Sequence, residues 1–271
     1  MLLAHSMLPL LSVCQNTVLF MGVWRTVVVE NTSWAVLFLV AGFYGDFAVG
    51  QVQSEAEQLD GYAAPLERKI EGWTVNYDSQ LDLPENSEVA NKSFKALANH
   101  LQRIEYIVPA KRLKQLKQCK IWVELKHPRL KTMQYHPSRG WLVANDCDPR
   151  LEKHLHVPLA NQLYARQMWA QHPYVILHEL AHAYHDQFLG FDNPEIEKVF
   201  QAAKNSGMYD TILNHLGDSV EHYGMNNAKE YFAEMTEAYF GVNDFFPFVR
   251  AELKQHDPQM YRLLEKIWGK I

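Results

Sequence analysis

The sequence predicts an α+β fold, with a small N-terminal mixed sheet followed by a mostly helical half. Three observations carry this. Residues 68–77 place Ile70, Trp73, Val75 and Tyr77 near the period of a strand. Residues 84–107 put Phe94, Leu97, Leu101 and Ile104 on one face at helical spacing. From about Pro158 onward, helix-period segments follow one another with few strand signals. The chain has 271 residues, enough to bury a core without disulfide support.

Residues 1–50 differ in kind from the rest. No Lys, Arg, Asp or Glu precedes Arg25, and a second apolar run spans residues 34–43. That run suits a signal-peptide core and is too short to cross a bilayer. Ala48-Val49-Gly50 offers small residues where a signal peptidase reads, and Met21 offers an alternative start. The expectation is export with cleavage near Gly50, giving a secreted or periplasmic protein. The alternatives are an uncleaved membrane anchor with the domain outside the cytosol, or a buried N-terminal hairpin. Residues 51–65 are polar and broken by Gly and Pro, and read as a linker to a domain over 66–271.

Within that domain, Arg68 to Tyr77 reads as a strand, and a long amphipathic helix runs from Pro84 to about Ile107. A basic helix from Pro109 to about Gln118 leads into a strand from Cys119 to Leu125. Residues 133–136 and 140–145 read as a hairpin around Pro137-Ser138-Arg139. Helices are expected at about 158–171, through the histidine-rich run ended by Gly190, and at 194–206, 209–216, 227–240, 245–256 and 258–268.

The formal net charge of −5 and pI near 6.2 argue against a nucleic-acid surface. Lys111, Arg112, Lys114, Lys117 and Lys120 sit at helical spacing and read as a solvated face. Cys14, Cys119 and Cys147 form no C-x-x-C pair, which argues against a cysteine-based zinc site. Once residues 1–50 are removed, Cys119 and Cys147 are an even pair able to form one disulfide in an oxidising compartment.

The chemistry concentrates in Val175-Ile176-Leu177-His178-Glu179-Leu180-Ala181-His182. This is H-E-x-x-H in an apolar run without Gly or Pro. On a helix, residues four apart share a face, so His178 and His182 can aim at one point, as tetrahedral zinc requires. Glu179 lies beside that line, within reach of a water at the metal. A catalytic zinc needs a third protein ligand. Candidates are Glu230, Glu234 and Glu237, which form one stripe at i, i+4 and i+7 of an otherwise aromatic and apolar helix. The pattern alone does not choose among them.

H-E-x-x-H followed by Glu230-Tyr231-Phe232-Ala233-Glu234 resembles the catalytic domain of anthrax lethal factor and the Mlc titration factor A peptidases. Both are gluzincins, zinc peptidases with two His and one Glu as ligands. The resemblance covers roughly residues 130–245 and implies a zincin-like metallopeptidase domain binding one zinc per chain. It implies that His178, His182 and Glu230 hold the metal. Tyr223, seven residues before Glu230, is then the oxyanion donor, with Glu179 as general base. Glu234 is expected to accept the second imidazole N–H of His178. An edge strand including Leu142, Val143 and Ala144 is expected to receive a peptide or protein substrate. His185 and His222 are further candidates, for ligation and for oxyanion binding. Two other readings use the same residues. One is a catalytically idle zinc-binding recognition module. The other is a di-iron carboxylate protein built on Glu179-x-x-His182 and Glu124-x-x-His127.

Overall fold

The computed structural model describes residues 62–271, and the expectations for residues 1–50 and most of the linker lie outside them. The described chain is α+β. Strands β1 (Leu66–Ile70) and β2 (Trp73–Tyr77) form an antiparallel hairpin whose register closes at Ile70 opposite Trp73. The reversal uses Glu71 and Gly72, both at positive φ (47° and 81°). Two left-handed residues are what a two-residue hairpin turn matched to strand twist requires. The single strand expected from Arg68 to Tyr77 is thus two strands joined by a tight turn.

Helices α1 (Ser87–Ile107) and α2 (Ala110–Leu116) cross to β3 (Lys120–Val123), which runs parallel to β2. The chain then makes β4 (Gln134–Tyr135), helix α3 (Arg139–Ala144) and β5 (His154–Val157). Strand β5 inserts between β3 and β4, so the sheet order is β1-β2-β3-β5-β4 and β4 is an antiparallel edge. The segment after β5 forms a short 3₁₀ turn (Ala160–Tyr164) and helix α4 (Arg166–Gln171), not one continuous helix.

The hairpin expected over residues 133–145 does not form. Residues 133–136 contain a strand, but Leu142, Val143 and Ala144 lie in α3. Ser138 accepts a hydrogen bond from the Trp141 N–H and caps that helix. Leu142 is buried with Trp122, Cys147 and Leu151 against the sheet face opposite the main core. The true partner of β4 is β5. Its His154-Leu155-His156-Val157 alternation was overlooked because two of its four side chains are histidines.

Alternation along β3 explains the layering. Ile121 and Val123 join the main core with α1, while Trp122 faces the smaller cluster under α3. Helix α5 (Val175–Tyr184) is almost wholly buried and runs on into a π-helical turn (His185–Leu189) before Gly190, at φ 80°. Helix α6 (Pro194–Ser206) is capped by Asn193 and stopped by Gly207 at φ 69°. Residues 209–216 are not a helix: Ile212–Leu213 (β6) pairs with Ser219–Val220 (β7). Helices α7 (Ala228–Phe240), α8 (Arg250–His256) and α9 (Pro258–Trp268) close the chain. Buried Asp257 accepts hydrogen bonds from the Tyr209 and Tyr231 hydroxyls and so fixes α7 from behind. Cys119 and Cys147 are separate buried free thiols, one in each cluster. Among the described residues, no helix is long and apolar enough to cross a membrane.

Buried histidines set the acid response of this fold. Burial pushes His136, His156 and His222 down to about 3, and His100 down to about 4. Below the unfolded value of about 6.5, the unfolded chain takes up protons that the folded chain refuses, so stability falls with pH. His172, raised to about 9, acts oppositely, but that contribution is nearly complete by pH 6.5. Glu124 and Glu234, raised by burial to about 7 and about 8, offset part of this loss, and His185, pushed down to about 4 by burial, adds to it. The denaturant midpoint should therefore drop between pH 7 and pH 5, each neutral histidine costing about 1–2 kcal/mol at pH 5. His136→Gln should make that dependence shallower at equal metal content. A midpoint that is flat or rises toward pH 5 would contradict this account.

Candidate metal centre

Helices α5 and α7 pack against each other and bring the H-E-x-x-H motif to the acidic stripe. His178 Nε2 and His182 Nε2 are 3.1 Å apart, and Glu230 Oε2 is 3.3 Å from each. A tetrahedral zinc with bonds of about 2.0–2.1 Å separates its ligands by roughly 3.3–3.4 Å. Three lone pairs thus converge at metal-ligand spacing, and the donor set of two imidazoles and a carboxylate suits zinc. Burial by itself would raise the Glu230 carboxyl, but hydrogen bonding to His178 and His182 outweighs it and holds the group well below the usual range.

Glu230 is in place because Asn227 caps α7, accepting from the Lys229 and Glu230 N–H groups. On α5, His178 is held from the other side. His178 Nδ1 lies 2.7 Å from Glu237 Oε1 and 3.6 Å from Glu234 Oε1. The assignment of Glu234 as acceptor therefore moves one turn along α7: Glu237 receives the His178 N–H. Glu237 shares the stripe with Glu234, and nothing in the spacing distinguishes the two. Glu237 also accepts from His172 Nε2 at 2.9 Å. That contact raises His172 to about 9 against the pull of burial, and the two histidines hold Glu237 low despite its burial. Burial keeps Glu234 above the usual carboxylate range.

Glu179 is buried and its carboxyl is raised by that burial, against the opposing pull of His178 and His182. Its Oε2 accepts a 2.7 Å hydrogen bond from the Tyr135 N–H of edge strand β4. The Tyr135 hydroxyl in turn donates to Asp186 Oδ2 at 2.6 Å, just beyond α5. Strand β4 and the motif helix are thereby tied at the two ends of one tyrosine, a link that sequence spacing gave no sign of. Tyr223, on a 3₁₀ turn (Tyr223–Asn226), is half exposed and faces the same cleft as His178, Glu179, His182 and Glu230. Burial and the nearby Glu230 charge raise its phenol, which stays a hydrogen-bond donor at neutral pH.

The structure separates the remaining candidates from this cleft. His185 is fully buried between Phe191 and Phe232. His222 is buried against Tyr209 and Phe245, and its Nδ1 accepts from the Gly224 N–H. Glu124 lies 3.2 Å from His156 Nε2, outside the cleft. Neither Glu124 nor His127 joins a metal-capable group among the described residues, which removes the basis for a di-iron site. No protein-family model, curated protein or solved structure matches this chain.

The geometry ranks the three acids of α7. Glu230→Ala should abolish tight zinc binding, because two histidines alone remain. Glu237→Ala should weaken it by about 10–100-fold by freeing the His178 ring. Glu234→Ala should have the smallest effect. Titration against a competing chelator measures all three, and a larger loss from Glu234→Ala than from Glu237→Ala would reverse the assignment.

Proposed function

We propose that this chain is a zinc-dependent metallopeptidase of the zincin type, with one zinc per chain. The observation that carries this is the meeting of His178, His182 and Glu230 at ligand spacing in one cleft with Glu179 and Tyr223. The cleft has a volume of about 410 Å³ and is bordered by β4, whose outer edge has no strand beyond it among the described residues. Such an edge accepts an extended peptide by strand addition.

His178, His182 and Glu230 would hold the zinc, which when bound would supply a Lewis acid and lower the pKa of water toward neutrality. Glu179 accepts a proton from the attacking water and later delivers it to the departing amine. The Tyr135 N–H holds one carboxylate oxygen of Glu179, and the other oxygen remains to accept the proton. Tyr223 donates a hydrogen bond to the oxygen of the scissile carbonyl as negative charge builds there. Glu237 holds the His178 ring so that Nε2 points into the cleft. An idle recognition module would need zinc and β4 but neither a carboxylate at Glu179 nor a phenol at Tyr223, and both face the cleft. Export, read from residues 1–50, remains part of the proposal and gives a secreted or periplasmic enzyme acting on peptide or protein substrates.

Glu179→Gln should keep zinc and fold while lowering peptide turnover by about 10²–10⁴-fold or more, since a carboxamide cannot accept the proton. Turnover of a complex peptide mixture, with metal content measured alongside, tests this. Wild-type rates in the zinc-loaded variant would rule out the mechanism.

A further inference from the structure

A second cavity of about 310 Å³ opens beside the metal cleft and shares His178, Glu179 and Tyr223 with it. Its walls are apolar, from Met133, Met168, Val175 and Phe245. Its polar groups are unusual in kind. Gln162 Oε1, Glu234 Oε2 and Asp244 Oδ1 all belong to residues lining this cavity, and each is a buried acceptor without a hydrogen-bond donor in the protein. Glu234 is 1% exposed. The basic groups on the wall do not answer them, because His172 and His178 both direct their protons to Glu237. Leaving buried acceptors unmet is costly, and three in one apolar pocket call for a guest rich in donors.

We propose that this cavity is a side-chain subsite for a basic residue, arginine or lysine, of an extended peptide lying along β4. This deepens the peptidase reading and rests on it for the position of the peptide. The shape of the guest follows from the walls. A long aliphatic stem packs against Met133, Met168, Val175 and Phe245, and a cationic head reaches the oxygens of Glu234, Asp244 and Gln162. A guanidinium supplies five N–H donors and an ammonium three, against three unmet acceptors. An aliphatic residue such as leucine fills the walls and leaves the acceptors unmet. An acidic residue brings no donor to the unmet acceptors and buries a further carboxyl beside Glu234 and Asp244. Because the pocket adjoins Glu179 and Tyr223, its occupant flanks the scissile bond, so cleavage falls next to the basic residue.

The test uses acetylated, amidated alanine pentapeptides with arginine, leucine or glutamate at the centre. Their binding to the full, zinc-loaded Glu179→Gln chain is measured by calorimetry. The arginine peptide should bind at least about tenfold more tightly than the leucine peptide, with glutamate weakest. Asp244→Asn, introduced into the same chain, should narrow the arginine advantage severalfold. Equal or tighter binding of the leucine peptide overturns the proposal, and this comparison holds even if Asp244→Asn does not fold. Turnover of the same peptides by the wild-type chain separates the two claims. Preferential arginine binding without turnover leaves the subsite and defeats the peptidase reading. Cleavage of all three peptides at equal rates leaves the peptidase and defeats the subsite.

Discussion

Three carboxyl groups on one face of α7, at Glu230, Glu234 and Glu237, lie against the imidazoles of α5 in a largely buried contact. Burying a carboxylate costs several kcal/mol unless a cation or strong donors meet it. The fold meets this cost unevenly. Glu237 is answered by two histidines, Glu230 lies where two imidazole lone pairs converge, and Glu234 has one oxygen without a partner. The helices could not pack this way with apolar surroundings alone, and a divalent cation at Glu230 is the natural complement. Much else in the C-terminal half serves to hold the contact: the Asn227 cap, and the Asp257 node behind Tyr209 and Tyr231.

The sheet contributes through its edge. With β5 between β3 and β4, a short antiparallel strand comes to lie over the motif helix, where its Tyr135 N–H reaches Glu179. The same tyrosine hydroxyl reaches Asp186, which also accepts a 2.5 Å contact from Lys153. The residue proposed as general base is thus oriented by backbone from a different layer of the fold, and the strand that would receive a peptide is held in register with the groups that would act on it.

The helices of this chain were legible where amphipathic period and caps coincided, as in Pro194–Ser206 with Asn193 before it and Gly207 after it. The H-E-x-x-H pair was legible because helix geometry alone brings residues four apart together. Three things escaped. A strand carrying two histidines did not look like one, so β5 was passed over and its pairing with β4 with it. Trp141-Leu142-Val143 has strand-like composition, but a serine cap and a second small core made it helical. The choice between Glu234 and Glu237 depends on the relative rotation of α5 and α7, which differs by a fraction of a turn and leaves no trace in spacing. Local rules reached the converging imidazoles, and tertiary packing decided what supports them.

The central claim is that two imidazoles and one carboxylate of this chain hold a single zinc ion. X-ray absorption at the zinc edge, on purified chain carrying measured metal, tests it most directly. The account predicts about one zinc per chain, surrounded only by nitrogen and oxygen at about 2.0–2.1 Å, with imidazole scattering from two rings. Sulfur in the coordination shell, or no stoichiometric zinc in a folded chain, would contradict it.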